Sequence, residues 1–313
     1  MKLSCLVSKY LIHRRALGNR FIAEGFILRS LCRHLGDPLL KEVATGAVRS
    51  FLLNGHSGIE TAARKRRALA GLYRYAHTRG CGTLSPLPIL PAGPQSSFVP
   101  YIYSHKELRR LLDAIPAVCA VRHSLAEDYG MRALLLTLYG AGLRLGEALR
   151  LKDADVDLGN AVITIRETKF FKTRLVPIGK DLVLVLRDYR ARRDRRHGAC
   201  PDAPFFRLRN GAPVNKSVAE STFCRVRTAA GIQRQGGPRQ QPRLHDLRHT
   251  AAVHRLLCWY GTGVDLQQQL LRLATYLGHK DLSGTQRYLT LTPQLLRAAS
   301  RRFGRYAMEN RHE

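Results

Sequence analysis

Residues 131–178 run MRALLLTLYGAGLRLGEALRLKDADVDLGNAVITIRETKFFKTRLVPI, and their character changes three times. The first part, MRALLLTLYG, is apolar nearly throughout and reads as a buried helix. Gly140 and Gly142 break it, and a second, short helix begins near Leu145. Two β-like runs follow, AVITIR at 161–166 and RLVPI at 174–178, joined by ETKFFKT. The stretch predicts a mainly α chain carrying a small β-sheet or hairpin, an α+β fold. Asp153, Asp155 and Asp157 begin like a calcium loop, but the sixth position holds Leu158 and the twelfth Thr164 where glycine and glutamate are needed.

Upstream, SHKELRRLLDAIP opens with a capping box, Ser104 with Glu107 three residues on, and marks the start of a domain. Before it, Gly82–Pro100 (GTLSPLPILPAGPQSSFVP) is rich in Pro, Gly and Ser and lacks charge, as linkers do. These boundaries predict a helical domain at 1–90, a linker at 91–100 and a second domain at 101–313. Within the first, IETAARKRRALAGLYRYAHTRG carries Arg64, Lys65, Arg66 and Arg67, a run that fits a solvated helix face and a phosphate-binding face about equally. Downstream of the hairpin the chain reads as helical, with a very basic run at 187–198.

The charge narrows the partner. Fifty-two Lys and Arg face 23 Asp and Glu, a formal net charge of +29 over 313 residues with a pI near 10.7. Such an excess repels itself in a compact protein, and a polyanion relieves it. Only 11 of the basic residues are lysines, and arginine grips phosphate through two parallel bonds. No apolar run reaches the roughly 20 residues of a spanning helix, and Lys9 interrupts the apolar part of the N-terminus. Membrane association is therefore not expected. The seven cysteines are scattered and odd in number, which favours reduced thiols in the cytoplasm over disulfides or a zinc ribbon.

Candidate site residues follow from spacing. In HDLRH, His245 and His249 lie one helical turn apart like a zinc pair, but the glutamate of a metalloprotease helix is missing and Arg248 lies between them. His245 and Arg248 instead share a helix face and can both donate to an anion. Arg144 follows the glycine break at a helix start, with Glu147 three residues on to hold its guanidinium. Lys169 and Lys172 lie between the two strands, where a lysine tip can reach a groove. Singly, each is more often a surface charge. Jointly they suit phosphoryl transfer without metal, and Tyr288 is a nucleophile candidate, with His279 nine residues ahead.

In chain order, GAGLRLGEALRL, ETKFFKTRLVPIG, HDLRHTAAVHRL, LATYLGH and TQRYLT resemble the signature boxes of the tyrosine recombinase, or phage integrase, family. The resemblance implies a helical core-binding domain that clamps DNA, followed by a catalytic domain. It implies that Tyr288 is the nucleophile that forms a 3′-phosphotyrosyl bond, with Lys169 as general acid and His245 assisting as acid/base. Arg144, Arg248 and His279 would stabilise the transition state, with Glu147 supporting. Arg64–Arg67 and Lys172 would contact DNA. It also implies no metal or other cofactor, double-stranded DNA as partner, and a homo- or hetero-tetramer on two sites, with partner recombinases in some systems. The segment LLCWYGTGVDLQQQLLRLATYLGH with the later TPQLL is most similar to recombinases of mobile elements, which act in integration, excision or transposition. Two departures stand out: KFFKT lacks the glycine often found in the hairpin turn, which leaves Lys172 as rival to Lys169, and the segment before LGH is slightly long. The competing expectations are an inactive DNA-binding regulator or accessory subunit, and a type IB topoisomerase.

Overall fold

The structure is a computed structural model. It describes residues 1–278 apart from 20, 55–57, 82–84, 90–98, 122–123, 167–172 and 263, together with Gly284, Gln286 and Tyr288. The chain divides into two compact units, one spanning Met1–Ser97 and one built from Phe98–Arg166 and the chain from Thr173 on.

The first unit is helical: α1 (Leu3–Ala16), α2 (Ile22–Leu35), α3 (Thr45–Leu53) and α4 (Ile59–Thr78). In α1, Leu3, Leu6, Val7, Tyr10 and Leu11 recur at three- and four-residue spacing and are all buried. They meet Leu28 and Leu31 of α2, Leu52 of α3, and Leu69 and Leu72 of α4. Each such buried leucine contributes about 1.5–3 kcal/mol of hydrophobic stabilisation.

The second unit holds α5 (His105–Cys119), α6 (Asp128–Gly140), α7 (Leu145–Ala148), β1 (Val156–Asp157), β2 (Val162–Ile165), β3 (Arg174–Pro177), α8 (Lys180–His197), α9 (Lys216–Ala229), α10 (Leu244–Gly261) and α11 (Leu266–Leu277). α5 starts at the expected capping box: the Ser104 amide donates to Glu107 Oε2 at 2.8 Å, and the Glu107 amide to Ser104 Oγ at 3.2 Å. α6 is the apolar helix of the opening stretch. Met131, Ala133, Leu134, Leu135 and Leu138 are buried on it, and α5, α8 and α10 pack around it.

The sheet is antiparallel in the order β1-β2-β3, with Ile163 opposite Val176 and Ile165 opposite Arg174. Ile163, Ile165 and Val176 face the core, while Leu175 points out. The hairpin is where the sequence puts it. The third strand, β1, was not expected, because it falls in the acidic stretch set aside as a failed calcium loop. Those acids have structural work instead: Asp157 Oδ1 accepts from the amides of Gly159 and Asn160, an Asx turn into β2. Among the described residues the seven cysteines are free, and no helix is long and apolar enough to cross a membrane.

Candidate active site

Two glycines set the floor of the site. Gly142, after the end of α6, has φ +60°, and Gly278, after the end of α11, has φ +66°. Side chains rarely adopt such angles, and here they would also collide. A Cβ on Gly142 would stand 2.8 Å from Leu277 Cδ2, and one on Gly278 2.8 Å from Arg174 Nη1. With these turns in place, backbone carbonyls receive the arginines. Arg248 Nη1 donates to Gly142 O at 2.7 Å and Nη2 to Leu277 O at 2.6 Å. Arg144 Nη2 donates to Gly278 O at 3.0 Å.

Glu147 lies at the centre. It sits on α7, one short turn after Arg144, and its Oε2 caps that helix by accepting the Arg144 amide at 2.9 Å. Its Oε1 accepts Arg144 Nη1 at 2.8 Å. Arg174 of β3 grips both oxygens, at 3.1 and 2.9 Å, and Arg248 Nη1 lies 3.8 Å from Oε2. Burial alone would raise the carboxyl pKa. The bonds and charge of Arg174, and then those of Arg144, outweigh it and hold the group at about 2.

The arginines differ in access. Arg248 is only 1% exposed. Burial and the charge of Arg144 lower its pKa to about 10, against the pull of Glu147 and Tyr288, so it stays charged at neutral pH. Arg144 keeps 41% of its side chain in solvent. An open and a buried guanidinium sharing one carboxylate can together offer fixed donors to an anion.

α10 brings the remaining groups. Asp246 closes its first turn by accepting the Arg243 amide at 2.8 Å. His245 is exposed as a residue, yet the protein crowding its ring and the charges of Arg248, Arg243 and Arg144 push its pKa down to about 4. It is neutral at pH 7 in the free protein. One turn on, His249 meets His245 edge to face at 4.7 Å between ring centres. Tyr288 is buried among Ala252, Val253 and Leu256 of α10 and Leu270, Leu273 and Leu277 of α11. Its hydroxyl lies 3.1 Å from His249 Nδ1.

Of the sequence candidates, Arg144 at the start of α7, Glu147 on α7, His245 and Arg248 on α10, and Tyr288 come together. Lys169, Lys172 and His279 lie outside the described residues. In the basic run of α4, Arg64 and Arg67 are exposed, while Lys65 Nζ donates to Phe51 O and Arg66 Nε to Pro88 O, both at 3.0 Å. Two site residues escaped sequence reasoning. Arg174 served only as a landmark in RLVPI. A charge within a short strand next to the inward-facing Val176 was its signal. His249 reads in the sequence only as half of a zinc-like pair that lacks its glutamate, although it shares a helix face with His245. Among the described residues, no three His, Cys, Asp or Glu side chains group as metal donors.

Residues 102–294 match the family model described as the phage integrase family. The putative integrase/recombinase y4rB of Sinorhizobium fredii is 38% identical over 224 residues, 71% of each chain. A second putative integrase/recombinase of that organism, y4rE, is 33% identical over 304 residues, 95% of this chain and 94% of its own. Among solved structures, the Tn1549 transposon integrase in complex with a circular intermediate DNA aligns with a TM-score of 0.66 at 19% identity. That alignment covers 96% of this chain and 99% of that one.

Proposed function

The chain belongs to the phage integrase family, and we propose from this and from the site geometry that it is a site-specific DNA recombinase cutting and rejoining strands through a 3′-phosphotyrosyl link. Tyr288 attacks the scissile phosphate and releases a 5′-hydroxyl. Arg144 and Arg248 bind the non-bridging oxygens as charge builds on them, Glu147, itself gripped by Arg174, holds these arginines, and His245 orients the phosphate and assists proton transfer. Lys169 protonates the leaving oxygen, and His279 adds a further donor. The bond energy is kept in the covalent link, so neither metal nor ATP is called for.

The observation that carries this reading is the convergence of Arg144 and Arg248 around Glu147, with the Tyr288 hydroxyl 3.1 Å from His249, the residue after Arg248 on α10. Residues 1–90 serve as the DNA-clamping domain, 91–100 as linker and 101–313 as catalytic domain. Arg64 to Arg67 and Lys172 supply phosphate contacts, and four protomers, identical or mixed, act on two double-stranded sites. The likeness to a transposon integrase and the relatives' names support a role in moving a mobile element. The free thiols and the charge suit the cytoplasm.

Covalent trapping tests the proposal. Nicked duplexes drawn from the DNA flanking the gene are incubated with protein, denatured in detergent and searched for a protein–DNA adduct. The adduct is expected with the wild type and with a change at the other tyrosine near the C-terminus, Tyr306→Phe, which lies outside the TQRYLT box, and absent with Tyr288→Phe, whose DNA affinity stays within a few-fold. An adduct that survives Tyr288→Phe overturns the assignment of the nucleophile.

A further inference from the structure

We propose that His249 is the base that takes the proton of the Tyr288 hydroxyl as that oxygen attacks phosphorus; this rests on the recombinase reading above. An unperturbed tyrosine ionises near pH 10, so at neutral pH the attacking oxygen must shed a proton during the step. An acceptor has to stand within hydrogen-bond reach of it. His249 Nδ1 does so, 3.1 Å from Tyr288 Oη, with the rings edge to face at 5.5 Å and 61°.

α10 divides the labour between its two histidines. His245 is exposed and under the field of Arg248, Arg243 and Arg144, as befits a group that meets the phosphate. His249, one turn deeper, faces the nucleophile. In the step, the Oη–H bond breaks and a proton joins Nδ1 of the neutral imidazole. Oη bonds to phosphorus, the P–O5′ bond breaks, and the 5′-oxygen takes a proton from the general acid. On rejoining, the imidazolium returns its proton to Oη. That imidazolium lies next to His245 and Arg248, so it is short-lived and is compensated by the phosphate.

The test compares two nicked duplexes carrying the cleavage site mapped by trapping, one with oxygen and one with sulfur as the 5′ leaving atom. Sulfur departs without a proton, so a defect in the acid disappears on it and a defect in the base persists. His249→Gln keeps a side chain able to hydrogen-bond Tyr288 but not to take its proton. We expect it to form adduct about 10²–10⁴-fold more slowly on both duplexes, with DNA affinity and melting temperature near wild type. Added imidazole should restore part of the rate in His249→Ala, which a purely packing role would not allow. A His249→Gln rate within a few-fold of wild type, or a defect that vanishes on the sulfur duplex, overturns the inference and leaves the recombinase reading intact. A wild-type protein that forms no adduct with either duplex overturns both.

Discussion

The second unit contains two arginine–carboxylate networks, and they are built for different ends. Around Asp153, Arg193 donates to Asp153 Oδ1 at 2.7 Å and to Asp194 Oδ1 at 2.6 Å, and Arg190 Nε lies 3.1 Å from the same Asp153 oxygen. Arg193 also lies over the Phe205 and Tyr189 rings and donates to Phe205 O. Two guanidiniums meet two carboxylates, and Arg193 is 1% exposed. Around Glu147, three guanidiniums meet one carboxylate, and Arg144 reaches solvent. Burial of arginine is common to both networks. The surplus of positive charge is what distinguishes a site that awaits an anion from a structural pair.

The largest effect expected from this contrast is on stability at the balanced network. Arg193→Ala takes a buried guanidinium from Asp194 and leaves Asp153 to Arg190 alone, and should cost about 3 kcal/mol in urea unfolding. Cleavage per folded molecule should be retained. Next comes Arg144→Ala at the unbalanced network, expected to slow adduct formation about 10²–10³-fold. Its half-exposed side chain should cost only about 1 kcal/mol or less of stability. If both variants lost stability equally, the distinction would fail.

A pH measurement sharpens it further. The Glu147 carboxyl sits at about 2 against an ordinary value near 4.5, so its contribution is fully present above pH 4.5 and is lost as pH falls from there toward 2. Glu147→Gln should flatten that stretch of the acid unfolding curve, a change on the order of 3 kcal/mol. His245, held down at about 4, works in the same sense between pH 6.5 and 4. A bound phosphate would raise its pKa again, so DNA should bind more tightly as pH falls through that window, and His245→Gln should remove the trend. The smallest effect belongs to the first unit: Arg67→Ala should lower the slope of log affinity against log salt by about 0.9 while cleavage of bound DNA stays unchanged.

Much of the fold was legible because its signals are local. The capping box at Ser104, the glycine break before Arg144 and the alternation in AVITIR and RLVPI lie within a few residues of what they specify. β1 was not legible: two residues give no alternation, and Asp157 reads as a turn because its side chain makes one. For the site, spacing alone could pair His245 with Arg248 or Arg144 with Glu147. It could not bring Arg174 to Glu147 across 27 residues, nor Tyr288 to His249 across 39. Nor could it find that Asp153 neutralises Arg193 from 40 residues away. Those contacts depend on how α7, β3, α8 and α10 pack.

The turns at Gly142 and Gly278 have a consequence for how this enzyme can diverge. Both arginines proposed to bind the phosphate are aimed by main-chain oxygens, of Gly142 and Leu277 for one and Gly278 for the other. Main-chain oxygens survive most substitutions, so neighbouring side chains can be exchanged without re-aiming the arginines. The surfaces that choose a DNA sequence can then drift, or be redesigned in the laboratory, while the chemistry stays in register. The burden of constancy falls on two residues that have no side chain at all.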